Sequence, residues 1–384
     1  MFCYELRRTI LVLMTVVLCG LINPATACSQ EPSEPQRLLY VAVPGIRNYL
    51  EYGGHGLLVF NVNDGHKFVR RIATGGLGKD GKPINVKGIA ASATTQRLYI
   101  TTIETLQCID LVSETLIWER GYEGGCDRMA IAPDGGVLYV PSFEKGHWHV
   151  VSGETGDVVA TIRPDSGAHN TVYGLDGNYC YLAGLRSPLL TVADTKTHSI
   201  EKTFGPFSHS IRPFTVNGRQ TLCFVNINEL LGFEVGDITS GKKLHRITVE
   251  GFKQGAVKRH GCPSHGIGLT PDEKELWVTD GHNQHLHVFD ATVMPPKQLT
   301  SIKVRDEPGW ITFSLDGTIA WPSTGDIIDV GSKKITASLT DESGASVMSE
   351  KMVEILVQNG KVVRTGDQFG VGRVTGSSQR TADE

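Results

Sequence analysis

Short apolar phrases return along this chain at a spacing of roughly 40 to 50 residues, a period that marks a repeat architecture. Seven stand out: Tyr40-Val41-Ala42-Val43, Tyr99-Ile100-Thr101-Thr102, Tyr139-Val140-Pro141-Ser142, Tyr181-Leu182-Ala183-Gly184, Phe224-Val225-Asn226-Ile227, Trp277-Val278-Thr279-Asp280 and Ala320-Trp321-Pro322-Ser323. Aromatic and β-branched residues dominate most of them, and turn residues bound them, so each reads as a strand. The sixth repeat shows the unit most clearly. His265 to Leu269 alternates as a first strand, Thr270-Pro271-Asp272-Glu273-Lys274 turns the chain, and Glu275 to Asp280 is a second strand. His285 to Phe289 supplies a third strand and Leu299 to Val304 a fourth.

Four short antiparallel strands per repeat describe a propeller blade. Pro133-Asp134-Gly135, Leu175-Asp176-Gly177, Asn217-Gly218 and Leu315-Asp316-Gly317 repeat the hairpin chemistry between first and second strands. The first repeat lacks an innermost strand, because Leu38 to Val43 already matches a second strand. Strand-like sequence at Met352 to Val357 and Lys361 to Arg364, around Asn359-Gly360, is expected to complete that blade. Closure of this kind leaves no unpaired edge. The fold class is therefore all-β: a seven-bladed β-propeller of four-stranded antiparallel blades, its ring closed by C-terminal sequence. The domain is placed at 37–374, with a tail at 375–384.

The strand phrases, with Asp-Gly turns before several of them, resemble the YVTN-repeat (YncE-like) family of exported bacterial seven-bladed propellers. The likeness covers nearly the whole chain after its N-terminal segment. No repeat spells Tyr-Val-Thr-Asn, and Trp277-Val278-Thr279-Asp280 comes closest. The resemblance implies the fold and export more strongly than any activity.

The first residues read as an export signal at 1–27, with Arg7 and Arg8 before an apolar run from Ile10 to Ile22 and a small-residue site at Ala25-Thr26-Ala27. Residues 28–36 read as a flexible leader. Cys28 sits where a lipid anchor would attach, although Ala25 stands where a lipoprotein signal usually has Leu. Periplasm or cell surface is the expected location. No later apolar run is long enough to span a membrane. A net charge of −4 without any basic block argues against nucleic acid as a partner. A monomer is expected. Cys108, Cys180 and Cys223 fall in apolar strands and read as small buried hydrophobes. Cys126 and Cys262 occupy matching loops of distant repeats and read as separate thiols.

Propeller topology sorts the loops onto two faces. Loops leading into first strands share a face with the loops between second and third strands, and that face is chemically rich. It gathers Lys87, Asp127-Arg128, His169, His209, Arg212, His260, His265 and Trp310, with Tyr49, Tyr52, His55, Glu144, Lys145, His147, Trp148, Arg186 and His282. Lys87, Arg128, His169, Arg212, His265 and Trp310 fall at one inner level and are the candidate ligand-binding residues. Such donors suit a carboxylate or phosphate, with Arg212 offering a two-pronged fork. The alternative is that they merely line a water-filled channel.

Five histidines crowd the sixth repeat, and His260, His265 and His282 form the better metal trio. No carboxylate pairs obviously with them, so no metal and no cofactor is assigned. Nucleophile-elbow, His-Glu-x-x-His, phosphate-loop and haem-attachment motifs are absent from the sequence. Glu104, Glu144 and Asp127 do not stand apart from ordinary loop carboxylates. The reading is a non-enzymatic binding protein for a peptide, a protein or a small anion. The alternatives are a lactonase-type hydrolase using His169, His265 and Arg212, or an accessory to periplasmic redox systems.

Overall fold

The computed structural model describes residues 34–376. The export signal, the Cys28 site, most of the leader and the last eight positions of the tail lie outside the described residues. Seven antiparallel sheets form the ring. Blades 2 to 7 are four-stranded, and their first strands lie against one another around the axis. Among the described residues no helix is long and apolar enough to cross a membrane.

The apolar phrases are continuous because each second strand is buried on both faces. In the strand Gln36–Val43, Leu38, Tyr40 and Ala42 join the cluster shared with blade 2, whereas Leu39, Val41 and Val43 join the one shared with blade 7. Period-two alternation thus feeds two interfaces from one strand. The remaining clusters fill the other blade interfaces in the same way. Outer strands face water, and Lys334–Ser338 is exposed along its length.

Ring closure uses both of the C-terminal segments expected to complete the first blade. Met352–Gln358 pairs with Gln36–Val43, setting Val353 opposite Tyr40 and Ile355 opposite Leu38. Lys361–Thr365 then adds a fifth strand on the inner side, so blade 1 departs from the four-stranded pattern. Arg37 ties the seam by reaching Glu354 at 2.6 Å and Asp316 of blade 7 at 2.7 Å.

Beyond that strand the chain crosses the channel as a strap. The Ile89 amide of blade 2 donates to Gln368 Oε1 at 3.0 Å, and the Trp310 indole donates to the Gln368 carbonyl. Gly370 O accepts from Leu269 N at 2.9 Å and from Thr215 Oγ1 at 2.7 Å. Gly372 N donates to Val216 O at 3.0 Å. Only glycine fits where the strap meets blade 6, since Gly370 has φ +56° and an added Cβ would lie 2.7 Å from the Gly268 Cα. This segment crosses the channel that the alternative reading leaves to water.

Candidate functional site at the channel mouth

The first strands carry the site because they converge on the axis. Lys87 lies in Val86–Ser92, His169 in Ala168–Tyr173 and Arg212 in Ile211–Val216. Arg128, His265 and Trp310 stand one or two residues before Ala130–Ile131, Ile267–Leu269 and Ile311–Phe313. Glu350 and Lys351 occupy the same position before the closing strand Met352–Gln358. Lys87, Arg128, His169, Arg212, His265, Glu350 and Lys351 line one cavity of about 260 Å³, with Arg47, Arg259, His260 and Glu144 at its wall.

Five of the six candidate residues therefore reach that cavity. Trp310 does not. It is buried one layer below, its ring centre 4.5 Å from the Arg128 guanidinium carbon and its indole N–H on the strap. Strap, Trp310 and Arg128 form a stacked floor.

Two buried carboxylates organise the floor. Asp127 Oδ2 accepts from His169 Nδ1 at 2.6 Å, and its Oδ1 accepts from the Arg128 amide at 3.0 Å with Lys87 Nζ at 3.3 Å. Burial alone would raise its pKa, yet His169, Lys87 and Arg128 hold it well below the ordinary carboxylate value. His169 is pulled down to about 4, chiefly by burial. The pair is thus a carboxylate and a neutral imidazole. With Nδ1–H given to Asp127, His169 Nε2 faces Arg128 Nη1 at 3.3 Å and accepts from it. Its lone pair is already engaged.

Glu350 is the second organiser. Oε1 accepts from His260 Nδ1 at 2.9 Å, while Oε2 takes both Lys351 Nζ at 2.6 Å and the Arg128 guanidinium. Burial opposes its charge, but Lys351 and Arg128 keep it well below the usual glutamate range. The Lys351 amine is pulled down to about 7, first by burial and then by Arg128, with Lys87 adding to the effect against the raising influence of Glu350. Gly309 keeps this corner tight, since a Cβ there would lie 2.3 Å from His260 Cε1 and 2.4 Å from Glu350 Oε1.

His265 is arranged differently. Its Nδ1 donates to Gly309 O at 2.8 Å, which leaves Nε2 as the unprotonated nitrogen, and burial holds the ring neutral. The better metal trio of the sequence reading is rearranged here. His260 and His265 do approach, but Glu350 rather than His282 completes the group, with ligating atoms within 4.8 Å of one another. Both Glu350 oxygens already serve His260, Lys351 and Arg128. A further cation would have to share its only carboxylate with the Arg128 guanidinium and the Lys351 amine, so the site suits an anion better. The carboxylate partners that the sequence left unassigned are Glu350 for His260 and Asp280 for His287, the latter at 3.2 Å. Cys126 and Cys262 are separate buried thiols.

Arg47, Lys87, Arg128, Arg212 and Arg259 line the cavity beside the Lys351 amine, against Glu144 and Glu350 on the wall and Asp127 beneath it, and this excess decides its character. Arg259 is answered by Asp306 at 3.0 Å and Glu307 at 3.6 Å. Arg212 is not: it donates to Asn228 Oδ1 at 2.5 Å and Gly261 O at 2.9 Å, both neutral. Arg47 donates to Arg259 O at 2.6 Å. Neither has a carboxylate partner among the described residues. A second cavity of about 320 Å³ lies on the far side of the strap, walled by Ile89–Thr94, Met129–Pro133 and Val363–Gln368. It is larger, but its charged side chains are Arg364 and the Asp367–Arg373 pair, bonded at 2.8 Å. The converging polar groups that mark a binding site are at the channel mouth.

Fold and site together define a seven-bladed β-propeller with a cationic, half-enclosed cavity over a plugged channel. The sequence matches no known protein-family profile and no curated protein. Among solved structures that share the fold is hydrazine synthase of Kuenenia stuttgartiensis, with a TM-score of 0.58 and 12% identity. The match covers 75% of this chain and 90% of that one. At that identity the likeness is one of fold alone.

Proposed function

We propose that this chain is an exported propeller of the YVTN-like kind that binds a small carboxylate- or phosphate-bearing anion at the channel mouth. The observation that carries the reading is Arg212, a guanidinium on the cavity wall whose bonds go only to neutral oxygens. Cavity size narrows the ligand. About 260 Å³ falls just under the ~300–1,000 Å³ of ordinary small-molecule pockets. That volume suits a small organic acid rather than a folded partner. A charge-assisted bond from Arg212 would contribute about 1.5–3 kcal/mol, or roughly a ten- to hundredfold change in affinity.

A thermal-shift panel of mono-, di- and tricarboxylates, phosphate and matched cations tests the reading. Stabilisation by one anion class, reduced in Arg212→Ala, supports it. Absence of any anion effect beyond that of ionic strength removes it.

One observation favours a second reading, the lactonase-type hydrolase. His265 presents an unprotonated Nε2 beside cations able to hold an oxyanion, whereas the Nε2 of His169 is occupied. Lactone turnover that disappears in His265→Gln supports this reading. Turnover unchanged in that variant removes His265 from any mechanism.

A further inference from the structure

We propose that Lys351 is a reactive amine that condenses with the carbonyl group of an anionic oxo compound held in the channel-mouth cavity. The inference rests on the anion-binding reading and narrows its ligand to anions that also carry an aldehyde or ketone. Three observations support it. Lys351 lines the cavity yet its side chain is only 2% exposed. Its Nζ has two acceptors, Glu350 Oε2 at 2.6 Å and Gly45 O at 3.1 Å. A neutral amine has two N–H groups to give them, and its lone pair remains free for attack.

Burial and the cations around the amine keep it in that form, against the pull of Glu350. Glu350 faces it from the neighbouring position, Arg128 reaches the same Glu350 oxygen from blade 3, and Lys87 adds its field from blade 2. A lysine both desolvated and set beside other cations is a general way to make an amine nucleophilic near neutral pH. Lys87, the other lysine on the wall, lies 3.3 Å from the Asp127 carboxylate and has no such arrangement.

The chemistry balances without an oxidant or reductant. The Nζ lone pair forms a bond to the carbonyl carbon while the C=O π pair moves to oxygen. A proton passes from nitrogen to that oxygen to give a carbinolamine. Loss of water then leaves a C=N bond to Nζ. Arg128 and Arg212 are placed to hold the anionic group of the partner.

The test uses the full-length protein with pyridoxal 5′-phosphate, an anionic aldehyde, and with pyruvate, each followed by borohydride reduction and peptide mapping. The expected result is one dominant adduct, on the peptide carrying Lys351. Labelling should be half-maximal near pH 7, and excess succinate should suppress it. Ordinary lysines, with a pKa of about 10.4, are roughly a thousandfold less deprotonated at pH 7. Lys351→Met should lose the adduct while succinate still stabilises the protein, which shows that the variant is folded with its anion site intact. Should succinate stabilise the protein while Lys351 stays unlabelled, the amine proposal fails and the anion site stands. Labelling spread evenly over surface lysines also overturns it. If no anion stabilises the protein, the anion reading itself has failed.

Discussion

Glu350→Gln is the most informative perturbation, because one buried carboxylate holds three donors together. Its side chain is 7% exposed, with His260 on one oxygen and Lys351 and Arg128 on the other. Glutamine keeps the shape but removes the charge, and it turns an amide N–H₂ toward groups that are themselves donors. Breaking a buried pair from one side costs about 3–5 kcal/mol. Unfolding a ring of some 340 residues carries an entropy near 0.7 kcal/mol/K, so the expected fall in Tm is about 4–7 °C. The loss should depend on pH in a defined direction. At pH 6 the variant must either bury a charged Lys351 without its carboxylate or strip its proton. At pH 9 the amine is already neutral in both proteins, because its native pKa lies near 7, and only Arg128 and His260 lose a partner. Scanning calorimetry of both proteins at pH 6 and pH 9 should therefore show the larger deficit at pH 6. A shift below about 2 °C at pH 6, or equal shifts at both pH values, refutes the arrangement of charges described here.

Other outcomes follow from the same contacts. Lys351 has a native pKa near 7, below its unfolded value of about 10.4, so the unfolded chain holds the extra proton between those limits. Wild-type stability should then rise relative to Lys351→Met by up to about 1.4 kcal/mol per pH unit from pH 7 to 10, read from urea melts; a flat difference contradicts the buried amine. On the acid side, His66 and His169 are both held down to about 4 by burial. Their contribution is complete above an unfolded pKa of about 6.5 and is lost as pH falls from there toward 4, so Tm should drop across that window and drop less in His66→Gln. Gly370→Ala should destabilise by more than the ~1 kcal/mol of a simple backbone effect, because its Cβ meets the Gly268 backbone; a neutral effect in chemical denaturation would show that the strap does not sit in the channel as described.

The sequence already carried the ring, since the two-sided burial of each second strand makes an apolar phrase that repeats with the blade. It also carried much of the site. Lys87, Arg128, His169, Arg212 and His265 meet at one cavity because each stands at the start of a first strand, and equivalent positions in a closed ring converge. Glu350 and Lys351 obey that rule equally, in front of Met352–Gln358. They carry no strand phrase of the repeat, because the closing strand comes from the C-terminal sequence and lies outside the seven-fold period. The pairing of Asp127 with His169 joins residues 42 positions apart across two blades, a contact that strand phase alone does not specify. The strap was illegible for another reason. Nothing local to Gly370 shows that its backbone must pass against the Gly268 strand. Trp310 lies one layer below the level its position predicts, because its indole is bonded to the strap.

The central claim is that the channel mouth holds an anion, and a heavy anion makes that directly visible. Crystals grown or soaked with selenate should show their strongest non-protein anomalous peak inside the cavity bounded by Lys87, Arg128 and Arg212. The peak should weaken sharply in Arg212→Ala. Selenate found only on exposed lysines, with the cavity left to water or to a cation, would contradict the account.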